Sequence, residues 1–215
     1  MKMNQLDDIA ERIHQSFASQ TRARDAALAC ARMLTRHCAN AIRAVHRNEA
    51  DLASQNLAEA RLLAQTLSQD LAGYPDLYYA GYTQDSLKEF AEASITCAII
   101  QNQPLPTPEE LGLQYATYLQ GLAEAIGELR RRCMDILRGG HSQEAERLLT
   151  VMDDIYTILV TMDYPDAITG GLRRLTDVAR GILERTRGDI TISLRQAQLE
   201  GTLERLEAKF QSQPE

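Results

Sequence analysis

Apolar residues recur every three or four positions along most of this 215-residue chain, and this spacing constrains the fold more than any other feature. The pattern is most regular between residues 113 and 137, where the apolar seam is Tyr115, Leu119, Leu122, Ile126, Leu129, Cys133 and Ile136. Such spacing puts the seam on one face of an α-helix. No segment sustains the two-residue alternation of a strand. The sequence therefore predicts an all-α fold, a single antiparallel bundle of about seven helices in one domain over 1–215.

Glycine, proline and capping residues predict where the helices begin and end. One or two long helices are expected in the first fifty residues, before a break at Asn48-Glu49. Thr107-Pro108-Glu109-Glu110 has the pattern of a capping box with proline at the first helical position. The later breaks are expected at Gly139-Gly140, Tyr164-Pro165 and Gly188. The other predicted helices cover about 52–71, 76–100, 113–137, 142–162, 168–187 and 189–210.

Composition excludes several classes of protein. No apolar run is long enough to span a membrane, and the N-terminal sequence lacks a signal-peptide core, so we expect a cytoplasmic protein without a membrane partner. The four cysteines show no CxxC pairing and lie within predicted helices, which is typical of buried free thiols. The four histidines form no HExxH motif, and this argues against a zinc site.

A basic stretch interrupts an otherwise acidic chain of net charge −7. Residues 21–50 carry only Asp25 and Glu49 as acids, against six arginines: Arg22, Arg24, Arg32, Arg36, Arg43 and Arg47. A stripe of this kind can track a nucleic-acid strand, because phosphate contacts supply most nonspecific affinity. A solvated helix face with ion pairs to acidic neighbours would give the same pattern. Charge alone leaves both interpretations open.

Two pairs of glutamates stand out as candidate metal ligands. Glu89 and Glu92 are three residues apart in LKEFAEAS, and Glu124 and Glu128 are four apart in GLAEAIGEL. Each pair therefore shares a helix face, with Cβ atoms about 5–6 Å apart. Four carboxylates gathered across a bundle would repel unless a hard cation such as Mg²⁺ or Mn²⁺ lay between them.

Helix geometry leaves a plainer alternative for these glutamates. At about 100° per residue, Glu124 and Glu128 fall on the side of their helix away from the Ile126 seam. Two solvated acidic faces are therefore also consistent with the spacing. Gly121 and Gly127 argue against a plain solvated face, because glycine inside a helix costs about 0.5–1 kcal/mol relative to alanine. Close approach of another backbone or of a ligand would explain them.

Three stretches of the chain resemble the translin family. They are AIRAVHRNE (41–49), TPEELGL…YLQGLAEAIGELRR (107–131) and MDDIYTILVTMDYPDAITGGLRRLTDVARGILERTRGDIT (152–191), in matching order and spacing. The family contains translin, which binds single-stranded nucleic acid, and translin-associated factor X, which supplies the nuclease centre of their joint complex. Both are seven-helix bundles that assemble into hollow shells, largely octameric, around RNA.

The resemblance implies a function and a set of site residues. It implies a Mg²⁺-dependent endoribonuclease (Mn²⁺ is the alternative ion) that cleaves single-stranded RNA inside a homo-oligomer, with single-stranded DNA as another ligand and a hexamer as the alternative to the octamer. The implied metal ligands are Glu89, Glu92, Glu124 and Glu128, and the first three are the implied catalytic residues. The family position matched by Glu124 is commonly Asp. The implied nucleic-acid contacts are Arg36, His37, Arg43, His46 and Arg47, which could equally form a subunit interface.

Other functions are also consistent with parts of the sequence. A translin-type shell without catalysis would bind single-stranded RNA or DNA and leave it intact. Helical nucleoside triphosphate pyrophosphohydrolases also gather carboxylates, but they typically carry an EExxE run followed by ExxD, and this chain lacks that run. A di-iron bundle would need two ExxH motifs, and this chain does not contain two.

Overall fold

The computed structural model describes residues 2–211, with side chains from 5 to 209, and all regular structure in this range is helical. Residues 1 and 212–215, which the single-domain prediction includes, lie outside it. The nine helices of the described range are α1 (Lys2–His46), α2 (Ala50–Asp70), α3 (Pro75–Tyr78), α4 (Gly81–Ile100), α5 (Pro108–Leu111), α6 (Tyr115–Leu137), α7 (Gln143–Thr161), α8 (Asp166–Thr169) and α9 (Leu172–Gln211). The predicted helical fold is confirmed. The count exceeds seven because α3, α5 and α8 are single turns.

Most predicted boundaries are confirmed by local backbone geometry. The break after α1 lies at Asn48, which takes a left-handed conformation with φ of 61°. The capping box at Thr107 is present with both of its hydrogen bonds. It opens only the one-turn helix α5, because Gly112 with φ of 68° ends that turn and α6 starts afresh at Tyr115. The break at Gly170 and Gly171, with φ of 61° and 85°, was not predicted. It divides the start of the helix expected over 168–187 into α8 and α9.

Two further boundary predictions are wrong. The helix expected over 76–100 is divided into α3 and α4. The break expected at Gly188 does not occur, because α9 runs as one helix of 40 residues through that position. A single glycine costs a helix about 1 kcal/mol, and α9 packs against α6 and α7. Tertiary packing therefore outweighs the penalty of Gly188.

Helices α4 and α6 form the centre of the bundle. Helix α4 packs against α1, α2 and α6, and α6 packs against α4, α7 and α9. Twelve of the 20 residues of α4 are buried, so almost every side of that helix is covered. Cys38, Cys97 and Cys133 are buried and Cys30 is half-buried, and all four are free thiols, as the sequence predicted. Within residues 2–211 we find no helix with the length and apolarity needed to cross a membrane.

Candidate metal centre

The two central helices come into close contact at Gly121 of α6. A Cβ atom placed on Gly121 would lie 2.5 Å from the Cβ of Ala91, and 2.9 Å from both the amide nitrogen of Glu92 and the carbonyl oxygen of Lys88. Only glycine fits against a neighbouring backbone at such distances. The expectation of a close backbone approach is confirmed here. It is wrong for Gly127, where a Cβ would have nothing within 4 Å.

This contact brings carboxylates from both helices together. Glu89 and Glu92 of α4 and Glu124 of α6 each direct a carboxylate oxygen to one point, and these oxygens lie within 4.8 Å of one another. All three side chains are half-buried. The sequence placed Glu124 on a side of α6 facing away from the core. That side in fact faces α4, because Lys88 of α4 donates a hydrogen bond to Glu124 and α6 packs against α4 as well as against α7 and α9.

The protonation of the cluster reflects burial and crowding of like charges. Burial, followed by the charges of Glu89 and Glu124, raises the pKa of Glu92 to about 8. Burial is also the largest cause of the raised pKa of Glu89, ahead of the opposing effect of Lys88 and the reinforcing charge of Glu124. Carboxylates that are costly to ionise together become favourable ligands once a divalent cation offsets their charge. The donor set therefore fits a hard cation such as Mg²⁺ or Mn²⁺.

Lys88 is a member of the centre that sequence reasoning missed. Its Nζ donates a hydrogen bond to Oε1 of Glu124 at 2.9 Å, across the α4–α6 contact. Burial alone would lower the pKa of Lys88, but the hydrogen bond and the charge of Glu124 raise it above its ordinary value. The residue therefore stays a cation beside three acids. Its place next to Glu89 in the sequence was the available signal.

Glu128, the fourth predicted ligand, is held apart from the other three. Its Oε2 lies 2.6 Å from Nε2 of His46 on α1 and 3.5 Å from Nη1 of Arg131 on its own helix. The hydrogen bond with His46 is the largest cause of the lowered pKa of Glu128. Glu128 is close enough to raise the pKa values of Glu89 and Glu92. It thus lies beside the cluster with its charge already compensated.

The position of His46 is fixed by α6. Arg132 donates hydrogen bonds to the backbone carbonyl of His46 at 3.1 Å and to Oδ1 of Asn48 at 2.7 Å. These bonds tie the end of α1 and the following turn to the helix that carries Glu128. The His46 side chain is only 4% exposed. The prediction that it contacts nucleic acid does not agree with this burial, because the imidazole faces Glu128 rather than solvent.

The remaining predicted nucleic-acid contacts lie along α1 and in the turn after it. Arg36 and Arg43 are exposed on one face of α1, and Arg47 is exposed in the turn. His37 is half-buried with its Nδ1 3.1 Å from Oδ1 of Asn56. Their contact with nucleic acid stays a prediction.

The stripe and the carboxylate cluster lie on opposite sides of α1. Cys38 is fully buried and close enough to Glu89 and Glu92 for their charges to help raise its pKa, after the larger effect of burial. At about 100° per residue, Arg36 and Arg43 stand roughly 140–160° around the helix from Cys38, and Arg47 follows in the turn after α1. Within one subunit, a strand lying on the arginines does not also reach the carboxylates.

Similar proteins are known from sequence and from structure. No protein-family model matches the chain. An uncharacterised protein of Methanocaldococcus jannaschii is 33% identical over 193 residues, which cover 89% of this chain and 85% of that protein. The structure of an AfC3PO–duplex RNA complex is 32% identical with a TM-score of 0.79, and covers 91% of this chain and 98% of that one.

Two further structures support the same relationship. The crystal structure of AfC3PO is 31% identical with a TM-score of 0.78, and covers 91% of this chain and 99% of that one. The crystal structure of apo-NeC3PO has a TM-score of 0.77 over 90% of this chain and 98% of that one, but at 22% identity it supports the fold alone. The helical fold described above is therefore shared along nearly the whole chain.

Proposed function

This chain belongs to the translin family, and on that premise we propose that it is a Mg²⁺-dependent endoribonuclease that cleaves single-stranded RNA within a homo-oligomeric shell. The observation that carries this proposal is the meeting of Glu89, Glu92 and Glu124, whose ligand oxygens lie within 4.8 Å of one another. These three side chains would hold the ion. Bound there, Mg²⁺ (or Mn²⁺) supplies Lewis-acid chemistry, namely activation of water and stabilisation of charge at a phosphodiester.

The side chains around the cluster have distinct tasks in such a reaction. Glu89, Glu92 and Glu124 bind and orient the ion, and the close contact at Gly121 fixes the distance between their helices. His46 and Arg131 hold Glu128 beside them. Positioning and charge stabilisation are sufficient for phosphodiester hydrolysis.

Cys38 does not suit a covalent mechanism at this centre. Cys38 is near Glu89 and Glu92, but it is fully buried and its pKa is raised, first by burial and then by the charges of those two residues. The thiolate is the reactive form of cysteine, and burial beside acids disfavours it. Direct attack of water on the phosphodiester is therefore the better description.

RNA as the ligand is supported by the relative AfC3PO, whose structure was solved with duplex RNA. We propose that duplex can bind but that the single strand is the form cleaved, because a flexible strand reaches an enclosed site more readily than a stiff duplex. The test uses one labelled RNA as a single strand and as a duplex, with Mg²⁺, Mn²⁺ or EDTA. We expect cleavage of the single strand with either ion and none in EDTA. Cleavage in EDTA, or equal cleavage of both forms, would contradict the proposal.

Assembly into a closed homo-oligomer is supported by solvent-exposed apolar residues on two long helices. Helix α1 exposes Leu6, Ile13 and Phe17 over its first half, and α9 exposes Ile192 and Leu199 over its second. At 1.5 Å per residue these helices are about 68 and 60 Å long, and single-subunit packing leaves those halves in solvent.

We therefore expect an octamer in solution, with a hexamer as the alternative. Eight chains of 24.0 kDa would give a mass of about 190 kDa and six about 145 kDa in a closed symmetric assembly. Light scattering on the purified protein at micromolar concentration measures this mass. A value near 24 kDa would show that the exposed apolar residues do not assemble the protein.

His46 provides a test of positioning against direct RNA contact. We expect His46→Ala to lower the free energy of unfolding by about 1–3 kcal/mol, because it leaves the Glu128 carboxylate without its shortest hydrogen bond. Cleavage should fall, whereas RNA affinity should not change. Chemical denaturation and fluorescence anisotropy measure the two effects, and His14→Ala, at an exposed position of the same helix, is the control. A tenfold loss of RNA affinity with unchanged stability would instead support direct contact between His46 and RNA.

A further inference from the structure

Lys88 is the charged residue at the centre to which the proposed function gives no task. Lysine is rare in this chain, since it occurs only at positions 2, 88 and 209 while the other 20 of the 23 basic residues are arginine. The two residues differ chemically. Lysine presents a compact ammonium with three donors, whereas arginine presents a broad planar fork. A lysine among three carboxylates therefore supplies a small point charge of the kind that a metal ion also supplies.

The ion pair of Lys88 is built into the contact between the two central helices. Lys88 precedes Glu89 on α4, and Nζ reaches across to Oε1 of Glu124 on α6 at 2.9 Å. The side chains of this pair are 17% and 27% exposed. The backbone carbonyl oxygen of Lys88 lies against Gly121, where α4 and α6 are in close contact. Gly121 is less than one helical turn before Glu124 on α6. Backbone contact thus sets the location of both partners, unlike a pair of flexible side chains on a surface.

The charges around the cluster divide into compensated and uncompensated carboxylates. Glu128 has His46 and Arg131, and Glu124 has Lys88. Of these four carboxylates, the remaining two, Glu89 and Glu92, carry two negative charges when ionised. Asp85, whose charge also acts on Glu89 and Lys88, is exposed to solvent. One divalent cation matches the charges of Glu89 and Glu92. A second ion would need Glu124 as a bridging ligand, and the ammonium already occupies that carboxylate.

We propose that Lys88 is a built-in counter-cation of this centre, which holds Glu124 in place and limits the cluster to one divalent ion per subunit. This inference rests on the proposed metal-dependent function. In centres with two ions, the metals lie about 3.5–4 Å apart and share carboxylate ligands. Here the ammonium of Lys88 takes the place of one of those two cations. Lys88 is in this sense a positioning residue, because it acts on the metal ligand Glu124.

The number of bound ions tests this proposal without reference to activity. Purified full-length protein, treated with EDTA and dialysed, is titrated with Mn²⁺, and free Mn²⁺ is followed by electron paramagnetic resonance. We expect one ion per chain for the parent and for Lys88→Arg, which keeps the charge. We expect two for Lys88→Met, which keeps the length of the side chain without its charge. Adding Glu124→Gln to Lys88→Met should return the number to one.

Controls separate this effect from unfolding. Lys209→Met makes the same change at an exposed position near the end of α9 and should bind one ion, as the parent does. Circular dichroism and thermal denaturation check that each variant is folded. Lys88→Gln replaces Lys88→Met if the latter does not fold, and the same second ion is expected.

The outcomes distinguish this inference from the proposed function. Two ions bound to the parent, or one ion of unchanged affinity bound to Lys88→Met, would overturn the role of Lys88 and leave metal-dependent cleavage intact. No Mn²⁺ bound to the parent at millimolar concentration would overturn both. Cleavage of RNA in EDTA would reject the proposed function by itself, whichever number of ions the protein binds.

Discussion

Replacing Glu92 by glutamine is expected to reduce RNA cleavage by about a hundredfold or more, since it removes one of three ligands of a shared ion. The fold should be retained, because glutamine keeps the size and the helix propensity of glutamate. Stability of the metal-free protein should even hold or rise. Burial and the charges of Glu89 and Glu124 raise the pKa of Glu92 to about 8, so its carboxylate is costly to ionise. Loss of activity without loss of stability is the signature of a residue kept for function.

Glu89→Gln and Glu124→Gln should have effects as large as that of Glu92→Gln. Because the three carboxylates hold one ion together, double substitutions should cost little more than single ones. Glu128→Gln should reduce cleavage less, since that side chain is held by His46 and Arg131. Glu124→Asp should retain activity, because it restores the residue common in the family.

These variants are measured in single-turnover cleavage of labelled RNA, with anisotropy reporting RNA affinity. Glu59→Gln, at an exposed position of α2, is the matched control and should behave as the parent does. RNA affinity should stay the same or increase slightly in the cluster variants, because negative charge facing phosphate is reduced. If Glu89→Gln and Glu92→Gln cleave at the parent rate, the metal assignment is wrong. The protein would then be better described as an RNA-binding shell without catalysis.

The sequence predicted those features of the fold that local chemistry determines. The capping box at Thr107 and the break at Asn48 depend on residues within a few positions of each other, so their signals are complete in a short segment. The break expected at Gly188 was wrong because the competing contribution is not local. Packing of α9 on α6 and α7 stabilises the helix through that glycine, and a short segment carries no information about it.

In the candidate site, too, local features were predictable and long-range contacts were not. The spacing of Glu89 and Glu92 was enough to place both on one face of a helix, and the resemblance to the translin family implied that they meet Glu124. The residues that pair with Glu124 and Glu128 were not predictable from the sequence. His46 and Glu128 are 82 positions apart, and Lys88 and Glu124 are 36 apart. Each pairing depends on which sides of α1, α4 and α6 face one another, and only the packed bundle determines that.

Gly121→Ala is expected to destabilise the protein. The new Cβ would lie 2.5 Å from the Cβ of Ala91 and 2.9 Å from two backbone atoms of α4, and backbone atoms cannot rotate away as the end of a side chain can. Forcing α4 and α6 apart should cost about 3 kcal/mol, the upper part of the usual range for overpacking. The better helix propensity of alanine returns about 0.5–1 kcal/mol. We therefore expect a net loss of about 2 kcal/mol.

Gly127→Ala is the matched control on the same helix. A Cβ there has nothing within 4 Å, so only helix propensity changes, and we expect a gain of about 0.5–1 kcal/mol. Denaturant unfolding at one fixed protein concentration measures both variants, since assembly contributes to apparent stability. Gly121→Ala should also weaken Mn²⁺ binding, because the atoms it displaces belong to Lys88 and Glu92, whereas Gly127→Ala should not. Equal stabilisation by both alanines would show that the two helices are not held this close, and that the carboxylates do not meet as described.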